Sequence, residues 1–366
     1  MKPCDIGGQG VLEGVMMRSK EECALAVRKE TGEIITSKWK LKQRRDGFLK
    51  WPVVRGCVSL VDMMKEGVKV ISDSAKLYDE SAAQEEPGKV EKYIAKKTGK
   101  SEMDVMMGVA VVVALALSVG LFFLLPSFLV GLFSKYLGSS LLISLSEGII
   151  RILIFMGYLI FCTSIKDVRR VFMYHGAEHK TIACYEHEEE LTVENVRKHR
   201  RLHPRCGTSY LLLVMIISIL VYSVVGELFV SIGFVDINSN LLWRVLSRLI
   251  LLPLIAGISY EVLKGAAKHE NWFTRAIRWP GMQLQRLTTK EPDDSMMEVA
   301  ITAFEMALGE KSEEEIKELV ASFDRSEKKP AEAFAENEEK AEDAPAGIEE
   351  EKKENGQQEE ASPNEG

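Results

Sequence analysis

The first hundred residues hold no long apolar run; they are mostly polar and mixed in charge, so no cleaved leader is expected. The opening run Gly7-Gly8-Gln9-Gly10-Val11-Leu12-Glu13-Gly14 lacks the Gly-Lys-Ser/Thr of a phosphate loop. Only six residues precede it, too few for the strand that a dinucleotide fingerprint needs. The run reads instead as a tight glycine-rich turn that lets backbones pack closely. At the other end, residues 325–366 lack large apolar side chains apart from Phe334 and Ile348, and they carry 14 Asp/Glu against 6 Lys/Arg. Such a segment cannot bury enough surface to offset its ordering entropy and reads as a disordered acidic tail. Its charge of −8 against −7 for the whole chain leaves the remainder near +1, so the acidic balance describes the tail alone. No nucleic-acid partner is expected; protein partners are unidentified, with the tail as the candidate surface for them.

The chain does hold four apolar runs of about 20 residues each, over 105–130, 145–165, 209–230 and 241–262. Each matches the helix length that crosses roughly 30 Å of hydrocarbon. Basic residues are scarce in two of the connections: Lys135 stands in one, and 231–240 has none. In contrast, 166–205 holds nine Lys/Arg and 264–290 holds six. The positive-inside rule then places both termini and the central loop in the cytoplasm, with the lipid bilayer as partner. Cys4, Cys23, Cys57, Cys184 and Cys206 fall on that reducing side, so no disulfide framework is expected, and Cys162 serves as a small apolar residue in the second span. Glu147, Arg151, Arg244 and Arg248 lie inside spans near their outer ends, where snorkelling or interhelix pairing accommodates them.

The expected fold is therefore a mainly α-helical integral membrane protein of about four transmembrane helices, with a small α+β cytosolic N-terminal region. That region covers 1–80. Ala24–Val27 and Glu33–Ser37 flank a Glu30-Thr31-Gly32 turn, as in a β-hairpin, and Val53–Val70 has the pattern of an amphipathic helix. A linker over 81–104 leads to transmembrane helices 1 and 2 (105–165), a cytosolic loop (166–208), helices 3 and 4 (209–262), and a cytosolic helical segment (263–324). Within the last, Trp272, Trp279, Arg275 and Arg278 suit an interfacial anchor, and a helical pattern begins at Asp293-Asp294.

The chemistry gathers in the central loop. His175-x-x-Glu178-His179 has the H-x-x-E-H spacing: on a helix the two imidazoles share a face and can hold one metal ion, with Glu178 as proton acceptor. His203-x-x-Cys206 follows with the spacing of a zinc-ligand pair. His175, His179, His203 and Cys206 together would close a structural site. His175 and His179 with one carboxylate, Glu186 or the more distant Glu261, would leave a position open for water. Imidazole plus thiolate favours zinc; iron or manganese fits if carboxylates dominate. The alternative is a basic juxtamembrane loop whose histidines meet lipid headgroups or helix ends, with Glu261 paired to a nearby cation.

Several of these segments resemble the YqhQ-like family of bacterial membrane proteins. The carriers are Gly7–Arg18, Tyr174–Ile182, His203–Ser209, Ile258–Glu261 and Gln285–Pro292, and the resemblance spans about 5–310. Gly10 stands where the family pattern has alanine. The resemblance implies a multi-pass membrane protein of a family described as predicted metal-dependent enzymes, with no substrate attached. Three functions follow as expectations: a metal-dependent hydrolase at the inner membrane face, a non-catalytic scaffold or regulator, and a transporter or channel accessory.

Overall fold

The structure is a computed structural model that describes residues 4–41, 47–78, 96–97, 99, 102–203, 206–231, 241–268 and 271–324. Most of the expected linker and all of the expected tail lie outside the described residues.

The chain opens on a sheet. Strands β1 (Gly7–Val11), β2 (Gly14–Arg18), β3 (Glu22–Arg28) and β4 (Ile34–Lys40) pair antiparallel in sequence order. The hairpin expected from sequence is β3–β4, in register Val27↔Ile35, with Gly32 at φ +90° in its turn. The glycine run is a strand rather than a turn; the turn is Leu12-Glu13, and β2 follows it.

Side chains alternate across the strands, yet both faces are apolar because both are covered. Val11, Met16, Cys23, Leu25 and Val27 face Val70 of helix α1 (Val54–Tyr78). Val15, Met17, Ala24 and Ala26 face Tyr174, Ala177, Met296, Ile301 and Phe304. Those five come from α5 (Lys166–Glu186) and α10 (Asp294–Leu308). The α+β region is thus a sheet between two helical layers, one of them supplied by the far end of the chain. Arg28 ties β3 to α10 through Glu298 at 2.5 Å.

The apolar helices form the other half. Helix α2 (Glu102–Val119) continues through a π-turn, Gly120–Leu124, into α3 (Leu125–Phe133). Helices α4 (Ser140–Thr163), α7 (Thr208–Ser231) and α8 (Leu241–Lys268) complete the set. Among the described residues, three stretches are long and apolar enough to cross a membrane: Val105–Tyr136, Ser140–Thr163 and Leu241–Ala266. Tyr210–Gly226 in α7 is a shorter apolar stretch. Their outward faces bear exposed Leu117, Leu153, Val224 and Ile250, a surface suited to lipid rather than water.

Charge inside this half is paired between helices instead of snorkelling. Glu147 accepts from Ser127 Oγ (2.9 Å), Arg151 Nη2 (2.8 Å) and Arg248 Nε (2.9 Å). Pro126 has no N–H to return to the carbonyl of Phe122 four residues earlier, and Arg151 Nε donates to that oxygen at 2.8 Å. Arg244 Nη1 donates to Ser127 O at 2.9 Å.

Among the described residues, three further helices lie outside the apolar runs: α6 (Val193–Lys198), α9 (Trp272–Thr288) and α11 (Glu313–Asp324). Asn271 caps α9 with a reciprocal Thr274 contact, and Asp293 caps α10 through Met296 N–H.

Candidate metal centre

The segment read as a loop at 166–208 is largely helix, and the H-x-x-E-H residues occupy the buried middle of α5. Every residue from Tyr174 to Ile182 is buried or nearly so, because the sheet, α10 and the 199–203 connector press on different sides. The approach is close. A Cβ on Gly10 of β1 would stand 2.4 Å from Val171 O, and one on Gly176 would stand 2.1 Å from Lys290 O. Glycine at position 10 therefore lets β1 sit nearer α5 than alanine would. Glu13, in the β1–β2 turn, takes a two-pronged ion pair from Arg170 and a 3.2 Å bond from Tyr174 Oη, locking that turn to the same helix.

Two backbone carbonyls set the imidazoles. His175 Nδ1 lies 2.9 Å from Thr288 O at the end of α9, and His179 Nδ1 lies 2.5 Å from Arg201 O in the connector. A ring nitrogen facing a carbonyl carries the proton, so in the neutral form of either ring Nε2 is the nitrogen that holds the lone pair. His175 Nε2 reaches Cys206 Sγ at 3.2 Å, and the two ring centroids are 4.5 Å apart. One ligand atom from each of His175, His179 and Cys206 lies within 4.8 Å of the others. Cys206 Sγ in turn accepts Thr208 N–H at 3.4 Å, with the Thr208 hydroxyl at 3.2 Å, at the start of α7.

Glu178 sits beside this trio. Gly8 N–H holds its Oε1 at 2.9 Å, while Oε2 lies 3.8 Å from His175 Nε2. Among the described residues, Glu178 Oε2 and His179 Nε2 are buried without a hydrogen-bond partner. Burial raises the Glu178 carboxyl to about 7, with Cys206 adding and His175 and the Gly8 amide opposing. Burial, reinforced by His175, also holds His179 well below the usual imidazole range, in the neutral form that binds metals.

The remaining candidates from sequence lie elsewhere. His203 is outside the trio: its Nε2 faces Glu186 Oε2 at 3.3 Å, and burial lowers its pKa to about 4. Its ring still stacks 5.7 Å from that of His179, so Glu186 and His203 form a layer behind the trio. Glu261 is not part of the cluster; Arg55 of α1 grips it in a two-pronged pair, with Nε to Oε1 at 2.6 Å.

A second trio, Cys184, Glu189 and His199, also has ligand atoms within 4.8 Å. Its sulfur, however, faces the carbonyls of Glu190 (3.6 Å) and Glu189 (3.9 Å), and burial pushes the thiol up to about 11. Acceptors around a sulfur favour the protonated thiol, so this cluster is a poor ligand set beside Cys206.

Sequence reasoning gave no site role to Gly8, to Gln285 or to the carbonyls of Thr288 and Arg201. Gln285 is fully buried in α9 and holds the backbone of His203 from both sides: His203 N–H donates to Oε1 and Nε2 donates to His203 O, each at 2.8 Å. Backbone groups leave no mark in a residue pattern; only the bare Gly7–Gly10 run hinted at a close approach.

Comparison with known proteins gives a family and no activity. The pattern of a family described as "Protein of unknown function (DUF1385)" matches residues 51–310, which include all of α5 and the connector. The chain is 34% identical over 308 residues to "Uncharacterized protein YqhQ" of Bacillus subtilis (strain 168), covering 82% of this chain and 92% of that protein. No solved structure matches it. The family match and this identity together show that the chain belongs to the DUF1385 family.

Proposed function

We propose that the chain is a four-span protein of the bacterial inner membrane, both termini cytoplasmic, that holds a divalent metal and acts as a hydrolase at the cytoplasmic face. The observation that carries the reading is the convergence of His175 Nε2, His179 and Cys206 Sγ, with His179 Nε2 buried and lacking a hydrogen-bond partner among the described residues. Orienting each Nδ1–H on a carbonyl is what metal-binding imidazoles require of their surroundings. Two imidazoles and a thiolate best match zinc, which when bound supplies a Lewis acid that makes water nucleophilic near neutral pH.

Glu178 is the base of this reading. The Gly8 amide fixes Oε1, so the carboxylate presents Oε2 to the space beside His175, where it takes a proton from water and returns it to the leaving group. A purely structural site would need a fourth protein ligand. His203, the sequence candidate for that place, has its Nε2 turned to Glu186. The basic residues of 166–205 and 264–290 support the cytoplasmic orientation, and the apolar stretch in α7 supports a fourth span.

Elemental mass spectrometry on detergent-purified protein tests the proposal. The expected result is one metal per chain, lost in His179→Ala and Cys206→Ser but kept in Glu178→Gln and His203→Ala. Wild-type protein that stays metal-free after zinc is added back refutes it.

A further inference from the structure

Helix α1 closes one face of the sheet through Val70, yet it keeps a second apolar face that nothing among the described residues covers. Val61, Met64, Val68 and Ile71 recur at three- and four-residue steps and so form one stripe, each of them 37–55% exposed. At 3.6 residues per turn the other side chains sort in order around the helix. Beside the stripe come Lys65, Lys69 and Lys76, then Asp62, Glu66 and Asp73, and then the packed side with Gly56, Val70 and Ser74.

The crossing of α1 with α8 sets the direction in which the stripe faces. A Cβ on Gly56 would stand 2.9 Å from Gly257 Cα, and one on Gly257 would stand 2.4 Å from Val53 O, so the two backbones touch. From that crossing Cys57, in line with the stripe, donates to Pro253 O at 2.8 Å. Arg55, on the opposite side of α1, reaches Glu261 at 2.6 Å. These partners stand roughly 12 Å apart along α8, although Arg55 and Cys57 are near neighbours in α1. Helix α1 therefore lies across α8, its stripe turned toward the middle of the apolar Leu241–Ala266 stretch and its acids toward the Lys264 end. Just before α1, Phe48 and Trp51 are also exposed, aromatic side chains of the kind that sit at a headgroup boundary.

We propose that α1 lies in the cytoplasmic leaflet, with Val61, Met64, Val68 and Ile71 among the acyl chains and Lys65, Lys69 and Lys76 at the phosphates of anionic phospholipids. The stripe continues the lipid-facing surface of α8, and a lysine row flanking an apolar stripe is the pattern of a helix bound in the membrane plane. The acidic 325–366 segment offers such a stripe only Phe334 and Ile348 as large apolar side chains. The inference rests on the span and orientation proposed above and is independent of the metal.

The test places the photoreactive residue p-benzoylphenylalanine, one site at a time, in the full-length protein reconstituted in vesicles of phosphatidylcholine and phosphatidylglycerol. Ile250, exposed on α8, reports the span itself. Illumination is expected to add the mass of one phospholipid at Met64 and Ile71, as at Ile250, and none at Asp62 or Asp73. Adducts at Met64 and Ile71 should be enriched in phosphatidylglycerol over its share of the vesicle, and the Lys65→Gln/Lys76→Gln variant should lose that enrichment. Lipid at Ile250 but not at Met64 and Ile71 overturns the proposal and leaves the span intact, as does cross-linking of a second copy at those two sites. Equal adducts at Asp62 and Asp73 overturn the facing of the helix, and adducts in proportion to bulk lipid overturn the role of the lysine row. No adduct at Ile250 refutes the span on which the proposal rests.

Discussion

Replacing Gln285 by leucine should cripple the proposed metal centre without touching a proposed ligand. The side chain is fully buried and makes two 2.8 Å bonds to the backbone of His203, three residues before Cys206. Leucine keeps the volume but leaves His203 N–H and C=O buried and unpaired, each costing roughly 1–3 kcal/mol, for a total of about 4 kcal/mol. Part of that loss should appear as a looser hold on His203, close in the chain to both the Arg201 carbonyl and Cys206 Sγ. Removal of such supporting contacts lowers metal affinity by roughly 10- to 100-fold. Zinc competition against a chelating dye, with thermal unfolding in the same detergent, reads both effects. Gln285→Glu sharpens the test: it keeps the acceptor for His203 N–H but sets an oxygen against His203 O, so it should fall between wild type and Gln285→Leu. Wild-type affinity in Gln285→Leu, with stability lowered or not, would refute the claim that Gln285 positions the sulfur.

Two other outcomes follow from buried charge. Glu147→Gln strands Arg151 and Arg248 beside a neutral partner, and it should cost about 3–5 kcal/mol in denaturant unfolding, whereas a surface change such as Glu310→Gln should be neutral. His203 has a folded pKa of about 4 against an ordinary 6.5, so the unfolded chain takes up its proton first as pH falls. Its contribution is complete above pH 6.5 and lost between 6.5 and 4, at most about 3 kcal/mol. Unfolding titrations of His203→Gln should show a flatter pH profile over that window.

The parts of the protein that were legible from sequence are those whose forces act locally. Apolar runs marked the long helices, Thr31-Gly32 marked the β3–β4 turn, and the four-residue spacing put His175 and His179 on one helical face. β1 and β2 were missed because glycine has little strand preference and because Val15, Met16 and Met17 show no alternation when both sheet faces are buried. Which residues gather was half legible: Cys206 lies beside His175 and His179, whereas His203 and Glu261 face Glu186 and Arg55, partners that only the tertiary fold brings near. Charge inside the apolar helices was noted in sequence. The vacancy at Pro126 that Arg151 fills was not, because it depends on a carbonyl.

The sheet also has a history written into its packing. Its inner face is closed by α10, whose residues leave the ribosome about 250 positions after β4. The strands and every apolar helix must therefore be made before Met296, Ile301 and Phe304 exist to cover Val15, Met17, Ala24 and Ala26. Throughout synthesis the amino-terminal half is an unfinished surface, exposed to chaperones and proteases. Closure of this core waits on residues 294–308, so a chain that stalls before residue 294 keeps that face of the sheet open.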